Sequence, residues 1–224
     1  MNFDINSMME AIKQQDTAAL LAYFSNGQAN LNLPSFGAVT SNRIFAMLVK
    51  KIAHRFGYLN VFCEPVSVVS NDKLMVAQMT LKYNFYDEER DNYIPYSIPT
   101  ALVCELDAEG KISFMNVYTA FNYLVGKEII RPAMYNADAD LYAALPESVK
   151  AHYEQQAPRS RYELCRVNQV ENCLVVEENA LFTLGEICTP QAHVTVFEMD
   201  GDQVVKAAQY GEVVWDFKLW PTLY

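Results

Sequence analysis

Three histidines, His54, His152 and His193, and five cysteines are the side chains in this chain that titrate nearest neutrality. Acid–base, nucleophilic or metal chemistry would draw on them first. Their spacing offers none of the usual groupings. His54 falls on a helical face with Met47, Lys50 and Lys51, away from Phe45, Leu48 and Ile52. That is a solvent-side histidine near a helix C-terminus, where the helix dipole favours positive charge. His152 lies in the polar run "KAHYEQQ" and is expected to be solvated. His193 opens a strand with no evident partner. No Ser/His/Asp or Cys/His arrangement emerges, and no catalytic residue is assigned. Cys63, Cys104, Cys165, Cys173 and Cys188 are odd in number, irregular in spacing and without a CxxC. They read as reduced thiols of a cytoplasmic protein rather than a disulfide framework or a zinc site. In "NADADLYAALPE", Asn136, Asp138, Asp140 and Glu147 fall at calcium-loop positions. Leu141 stands where that loop needs glycine, so Asp138 is expected as a helix N-cap and no metal site is expected.

The remaining candidates are aromatic. Phe45, Tyr58, Tyr83, Phe85 and Tyr118, with Asn116 on the strand face of Tyr118, can line a pocket for an oxygenated hydrophobic ligand. The same residues suit plain core packing equally. Glu105 and Asp107, beside a turn, read as solvated.

The elements that must hold these residues come in two kinds. The first sixty residues are helical. "SMMEAIKQQ" has a capping-box spacing from Ser7 to Glu10. "DTAALLAYFSNG" runs from an Asp cap to Asn26-Gly27, and "SNRIFAMLVKKIAHRFG" from Ser41 to Gly57, with Phe45, Leu48, Ile52 and Phe56 at helical spacing. Thereafter the period is two. In "LMVAQMTLKYNF", Met75, Ala77, Met79, Leu81, Tyr83 and Phe85 share one face, and Gln78, Thr80, Lys82 and Asn84 the other, wet face. "SIPTALVCELD" and "KISFMNVYTAFNYL" are further strands. Then the order begins again: a helical "DADLYAALPESVKAHYEQQ", broken or reopened at Pro146, and four strands from "RYELCRVNQVE" to "VVKAAQYGEVVWDF". Leu74-Met75-Val76 falls on Leu174-Val175-Val176 at an offset of 100 (174 − 74), and Glu105 on Glu198 at 93 (198 − 105). The strand half is therefore expected to be used twice.

With 224 residues, 51% of them hydrophobic, the chain suits one large domain or two small ones. A net charge of −10 disfavours nucleic acid. No basic stretch suits an anionic membrane, and no run reaches the roughly 20 apolar residues of a span. The N-terminus does not read as a secretory signal.

"DTAALLAYFSNGQANLNLPSFGAVTSNRIFAMLVKKIAHRF" followed by "LVCELDAEGKISFMNVYTAF" resembles the NTF2-like superfamily, in particular its SnoaL-like branch. The resemblance covers about residues 5–130, and it implies an α+β cone of the cystatin-like kind. Helices pack on a curved antiparallel sheet and leave an apolar pocket. Residues 1–130 form one such domain on this reading, and 137–224 a second, reduced unit. The family includes isomerases, polyketide cyclases, dehydratases and noncatalytic members, so the fold assigns no reaction. Two positions that carry a carboxylate in such enzymes are empty. Leu33 precedes Pro34 where ketosteroid-isomerase-like chains place an Asp, and Ala120 stands two residues after Tyr118. The expectation is a protein that binds a small apolar ligand or serves as a noncatalytic scaffold. The alternative is a cofactor-independent SnoaL-like enzyme. The second unit lacks a full helical layer, so its bare sheet face is expected to pack on the first as an intrachain pseudo-dimer. The alternating apolar residues of "EVVWDFKLWPTLY" favour the same arrangement. Further homo-oligomerisation is left open.

Overall fold

The computed structural model describes residues 3–33, 37–87, 91–119, 135–156, 161–184 and 187–211. The side chains of Phe85, Asp87, 182–184 and 187–190, the residues 120–134 within the connecting stretch, and the tail from 212 onward, with its expected strand, lie outside what is described here. Helix α1 (Ile5–Gln14) starts at Asp4, whose carboxylate accepts from the Asn6 and Ser7 amides; the cap is therefore Asp4 and not Ser7. Asp16 caps α2 (Thr17–Leu21) as expected. A short hairpin, β1 (Leu31–Leu33) and β2 (Gly37–Val39), precedes α3 (Asn42–Leu59). That helix passes Gly57 and ends at Asn60 in the left-handed conformation.

Strands β3 (Phe62–Ser70), β4 (Leu74–Asp87), β5 (Asn92–Leu106) and β6 (Ile112–Thr119) follow as an antiparallel meander. Parallel pairing of β1 with β6 completes a six-stranded sheet ordered β2-β1-β6-β5-β4-β3. Next come α4 (Ala139–Ala143), capped by Asp138, and α5 (Glu147–Gln156), which opens directly after Pro146. A second meander, β7 (Arg161–Val170), β8 (Cys173–Leu184), β9 (Ile187–Asp200) and β10 (Gln203–Gly211), forms a separate four-stranded sheet. The class is α+β with a curved antiparallel sheet, as expected.

Burial divides into three cores. The first lies between α1–α3 and the inner face of the first sheet. The third lies between α4–α5 and the second sheet. The middle one joins the sheets themselves: Leu74, Val76, Ala101 and Val103 of one pack with Val175, Val194 and Val196 of the other. The face of β4 read as wet is thus only partly so. Gln78 is buried, whereas Lys82 and Asn84 are exposed.

The facing of side chains also corrects the sequence alignment of the two meanders. Leu74 and Val76 face the opposite sheet, as do Cys173 and Val175. Met75 and Ala77 face helices, as do Leu174 and Val176. The offset is therefore 99 (173 − 74), not 100, because a slip of one residue exchanges the faces of a strand. Bulges agree with this, at Pro65/Ser67 in β3 and Leu164/Arg166 in β7 (164 − 65 = 99). For β5 and β9 the offset is 93, with Val103 and Val196 facing alike. For β6 and β10 it is 92, from Tyr118 to Tyr210. The six residues lost between 99 and 93 come out of the β4–β5 hairpin.

Candidate functional site: an apolar cavity and two buried glutamates

The stripe on α3 faces alternate residues of β4, β5 and β6, and between them lies a cavity of about 120 Å³. Phe24, Phe45, Val49, Phe56, Met79 and Val117 give its character. Among the described lining residues only Tyr23, Thr100 and Thr119 carry polar side-chain groups, and the surface facing the cavity is almost wholly apolar. Thr100 and Thr119 are buried and hydrogen-bonded to each other at 2.8 Å. Burial, and secondarily the charge of Asp4, pushes the Tyr23 phenol above its ordinary value. Among the described residues lining the cavity there is no Asp, Glu, His, Lys or Arg. Leu33 is one more apolar wall residue.

The aromatic residues named from sequence divide. Phe45 lines the cavity. Tyr83 is buried in the same core and stacks on Tyr96, but does not line the cavity. Tyr58 is 76% exposed, with Arg55 over its ring. Asn116 and Tyr118 point away from the cavity. Strand alternation gives Met115, Val117 and Thr119 to the cavity and the intervening residues to the opposite sheet. The side chain of Phe85 lies outside the described residues.

The seam between the sheets holds the side chains that the pocket lacks. Glu177, fully buried on β8, accepts at Oε1 from the Tyr118 hydroxyl at 2.6 Å and from Asn116 Nδ2 at 2.9 Å. Its Oε2 lies 3.4 Å from Arg166 Nε. Arg166 Nη1 donates to Glu105 at 2.7 Å and to the Tyr135 hydroxyl at 2.8 Å. Glu105 is thus ion-paired rather than simply solvated. Across the seam, the Tyr210 hydroxyl donates to Gln78 Oε1 at 2.7 Å. The two contacts are reciprocal: Tyr118 corresponds to Tyr210 (210 − 118 = 92), and Gln78 to Glu177 (177 − 78 = 99). Each meander presents its last-strand tyrosine to the second-strand acceptor of the other.

Glu178, the next residue, faces the other way and is 2% exposed. Thr195 Oγ1 donates to its Oε1 at 2.6 Å and Gln209 Nε2 at 3.0 Å, and the Tyr153 hydroxyl donates to its Oε2. Burial raises the Glu178 carboxyl above its ordinary range, and the three donors oppose that rise. Burial, followed by the charge of Glu178, pushes the Tyr153 phenol well above its usual value. Under the offsets above, Glu178, Thr195 and Gln209 stand where the cavity places Met79, Leu102 and Val117 (178 − 79 = 99, 195 − 102 = 93, 209 − 117 = 92). The remaining histidines also need correction. His152 is half-buried, edge-on to Phe197 and Tyr153, and burial lowers its pKa. His193 does not open a strand but lies buried within β9, directly opposite Glu178. Its ring occupies the space a Cβ on Gly211 would take, 2.6 Å from Cδ2. His54 is exposed, as expected.

Sequence reasoning missed both glutamates. The signal was present in "CLVVEENALF": two adjacent acids within an apolar inner strand must point to opposite faces, and here both faces are covered. Cys63, Cys104, Cys165 and Cys173 are free thiols. No cluster of three metal-ligating side chains occurs among the described residues. Nor is any described helix long and apolar enough to cross a membrane.

About half of the chain is similar to NTF2-like proteins. An NTF2-like protein of unknown function from Cytophaga hutchinsonii matches at 13% identity and a TM-score of 0.38, over 51% of this chain and 94% of that one. A protein of unknown function with a cystatin-like fold from Methylobium petroleophilum matches at 17% and 0.37, over 52% and 72%. A ketosteroid isomerase-like protein from Erwinia carotovora atroseptica matches at 12% and 0.36, over 51% and 88%. No family model and no curated protein matches the sequence.

Proposed function

We propose that the cavity behind α3 binds a small, neutral, apolar ligand, and that the chain is a cytoplasmic, noncatalytic scaffold of two packed units, residues 1–130 and 137–224. The observation that carries this reading is the lining, apolar throughout apart from three hydroxyls. A charged ligand entering it would lose its hydration without a partner. At about 120 Å³ the space is comparable to the roughly 150 Å³ cavity that stays dry and takes benzene. Left empty, it costs the fold about 3 kcal/mol at ~24 cal/mol per Å³, which a ligand of matching shape offsets. The reciprocal tyrosine contacts support reading the packed units as an intrachain pseudo-dimer, with the strand half used twice. The test is a thermal-shift series. Benzene, toluene and cyclohexanone raise Tm with concentration, whereas benzoate and benzylamine do not. A response to benzoate equal to that to toluene, or no response to any neutral compound, contradicts the reading.

One observation favours a second reading, a cofactor-independent enzyme of the SnoaL-like kind. Glu178, with Tyr153, Thr195 and Gln209, places a buried carboxyl with a raised pKa at the positions that correspond to the cavity wall. On this reading Glu178 exchanges a proton with substrate in the second unit. Glu178→Gln then abolishes turnover of a cyclisable or enolisable substrate and leaves toluene binding in the first unit unchanged. Turnover surviving in that variant removes this reading.

A further inference from the structure

The two halves of the seam provide an internal comparison. In one, Gln78 uses both ends of its amide, accepting from Tyr210 and donating to Ser67 Oγ at 2.6 Å. In the other, two buried acceptors meet no hydrogen-bond donor among the described residues: Glu177 Oε2 and Asn116 Oδ1, on residues 0% and 1% exposed. The Asn116 amide cannot simply be turned round, because its Nδ2 donates to Glu177 Oε1 at 2.9 Å and to Tyr135 Oη at 2.8 Å. Tyr135 Oη thus accepts twice, from Asn116 and from Arg166. Its own proton is left for a further acceptor.

These three atoms specify a guest. It must donate two hydrogen bonds, to Glu177 Oε2 and Asn116 Oδ1, and accept one, from Tyr135 Oη. It must also be neutral: a guest that accepts from Tyr135 Oη needs a lone pair, which an ammonium ion lacks, and an anion would face two acceptors, one of them the Glu177 carboxylate that already has Arg166 beside it. Water supplies both donors and a lone pair for the Tyr135 proton, with a second lone pair to spare, and a buried water takes two to four polar partners. We propose that the charged half of the seam is a binding site for one ordered water, held by Asn116 Oδ1, Glu177 Oε2 and the Tyr135 hydroxyl. The neutral half, at Gln78 and Ser67, is dry. The water ties Tyr135, at the entrance to the second unit, to β6 of the first and β8 of the second.

The experiment uses the full chain. In solution, cross-relaxation spectra show a long-lived water at the Asn116 side-chain amide protons and none at those of Gln78. Tyr135→Phe keeps the fold by circular dichroism and loses the Asn116 signal. A crystal structure at about 1.2 Å shows one water within hydrogen-bond distance of all three atoms. The proposal is overturned if the wild-type Asn116 amide shows no long-lived water. It is equally overturned if the crystal shows Arg166 Nε swung fully onto Glu177 Oε2 with no water between, or if the signal persists unchanged in Tyr135→Phe.

Discussion

If the two meanders are equivalent, the Arg166–Glu177 pair of the second unit replaces the Ser67–Gln78 pair of the first. Both pairs sit at directly opposed register positions immediately after a bulge. The neutral pair can then be installed in the charged half. Arg166→Ser alone strips a fully buried carboxylate of its counter-charge and leaves it only the Tyr118 and Asn116 donors. Breaking a buried pair from one side costs about 3 kcal/mol. Glu177→Gln alone is gentler, at about 2 kcal/mol, because Arg166 is 28% exposed and keeps Glu105. If the two acted independently, the double variant would lose about 5 kcal/mol. Arg166→Ser combined with Glu177→Gln would instead recreate the 2.6 Å contact of Ser67 with Gln78. Only the lost contacts of Arg166 with Tyr135 and Glu105 then remain, about 2 kcal/mol, so the coupling is about 3 kcal/mol. Urea unfolding of the four proteins at neutral pH, read as midpoints with a common slope, measures it. A double variant as unstable as the sum of the singles refutes the equivalence of the two pairs, and with it the fused two-fold arrangement.

Two further outcomes follow from the buried polar groups. Glu178 has its folded pKa raised above the ordinary 4.5, so it contributes stability that is fully present below that value and is lost as pH rises through the folded pKa. Wild type therefore loses stability relative to Glu178→Gln as pH increases from about 4.5 towards neutrality, measured by urea midpoints at half-unit steps; a difference independent of pH contradicts the assignment. Thr100→Val leaves the buried Thr119 hydroxyl without its partner and costs about 1–2 kcal/mol, Thr119→Val costs less because Thr100 keeps the Ile98 carbonyl at 3.4 Å, and the double change is close to neutral; urea midpoints measure all three, and a double variant as unstable as the sum of the singles contradicts the pairing.

Much of the first unit was legible because its signals are local. The stripe on α3 and the alternation of β4 are periodicities, and both point to the space between them. Faces were harder. Asn116 and Tyr118 were correctly placed on one side of β6, but sequence does not say that this side meets a second sheet. The alignment of "LMV" with "LVV" was reasonable as letters and wrong by one as geometry, since the bulges and the pairing with Glu105 and Glu198 fix the register. Tyr58 illustrates another limit. An aromatic at the end of an amphipathic helix can turn outward under a cation, and here Arg55 covers it. Glu177 and Glu178 are hard to read from sequence because a pair of acids usually marks a solvated face. They are buried because β8 is an inner strand with a sheet on one side and α5 on the other.

Ligand binding by the cavity is tested most directly by diffraction from crystals under xenon pressure. The account predicts a xenon site between α3 and the first sheet, within van der Waals distance of Phe45, Met79 and Val117, displaced when toluene is soaked in. A cavity that takes ordered water instead of xenon, or closes by repacking of these side chains, contradicts it.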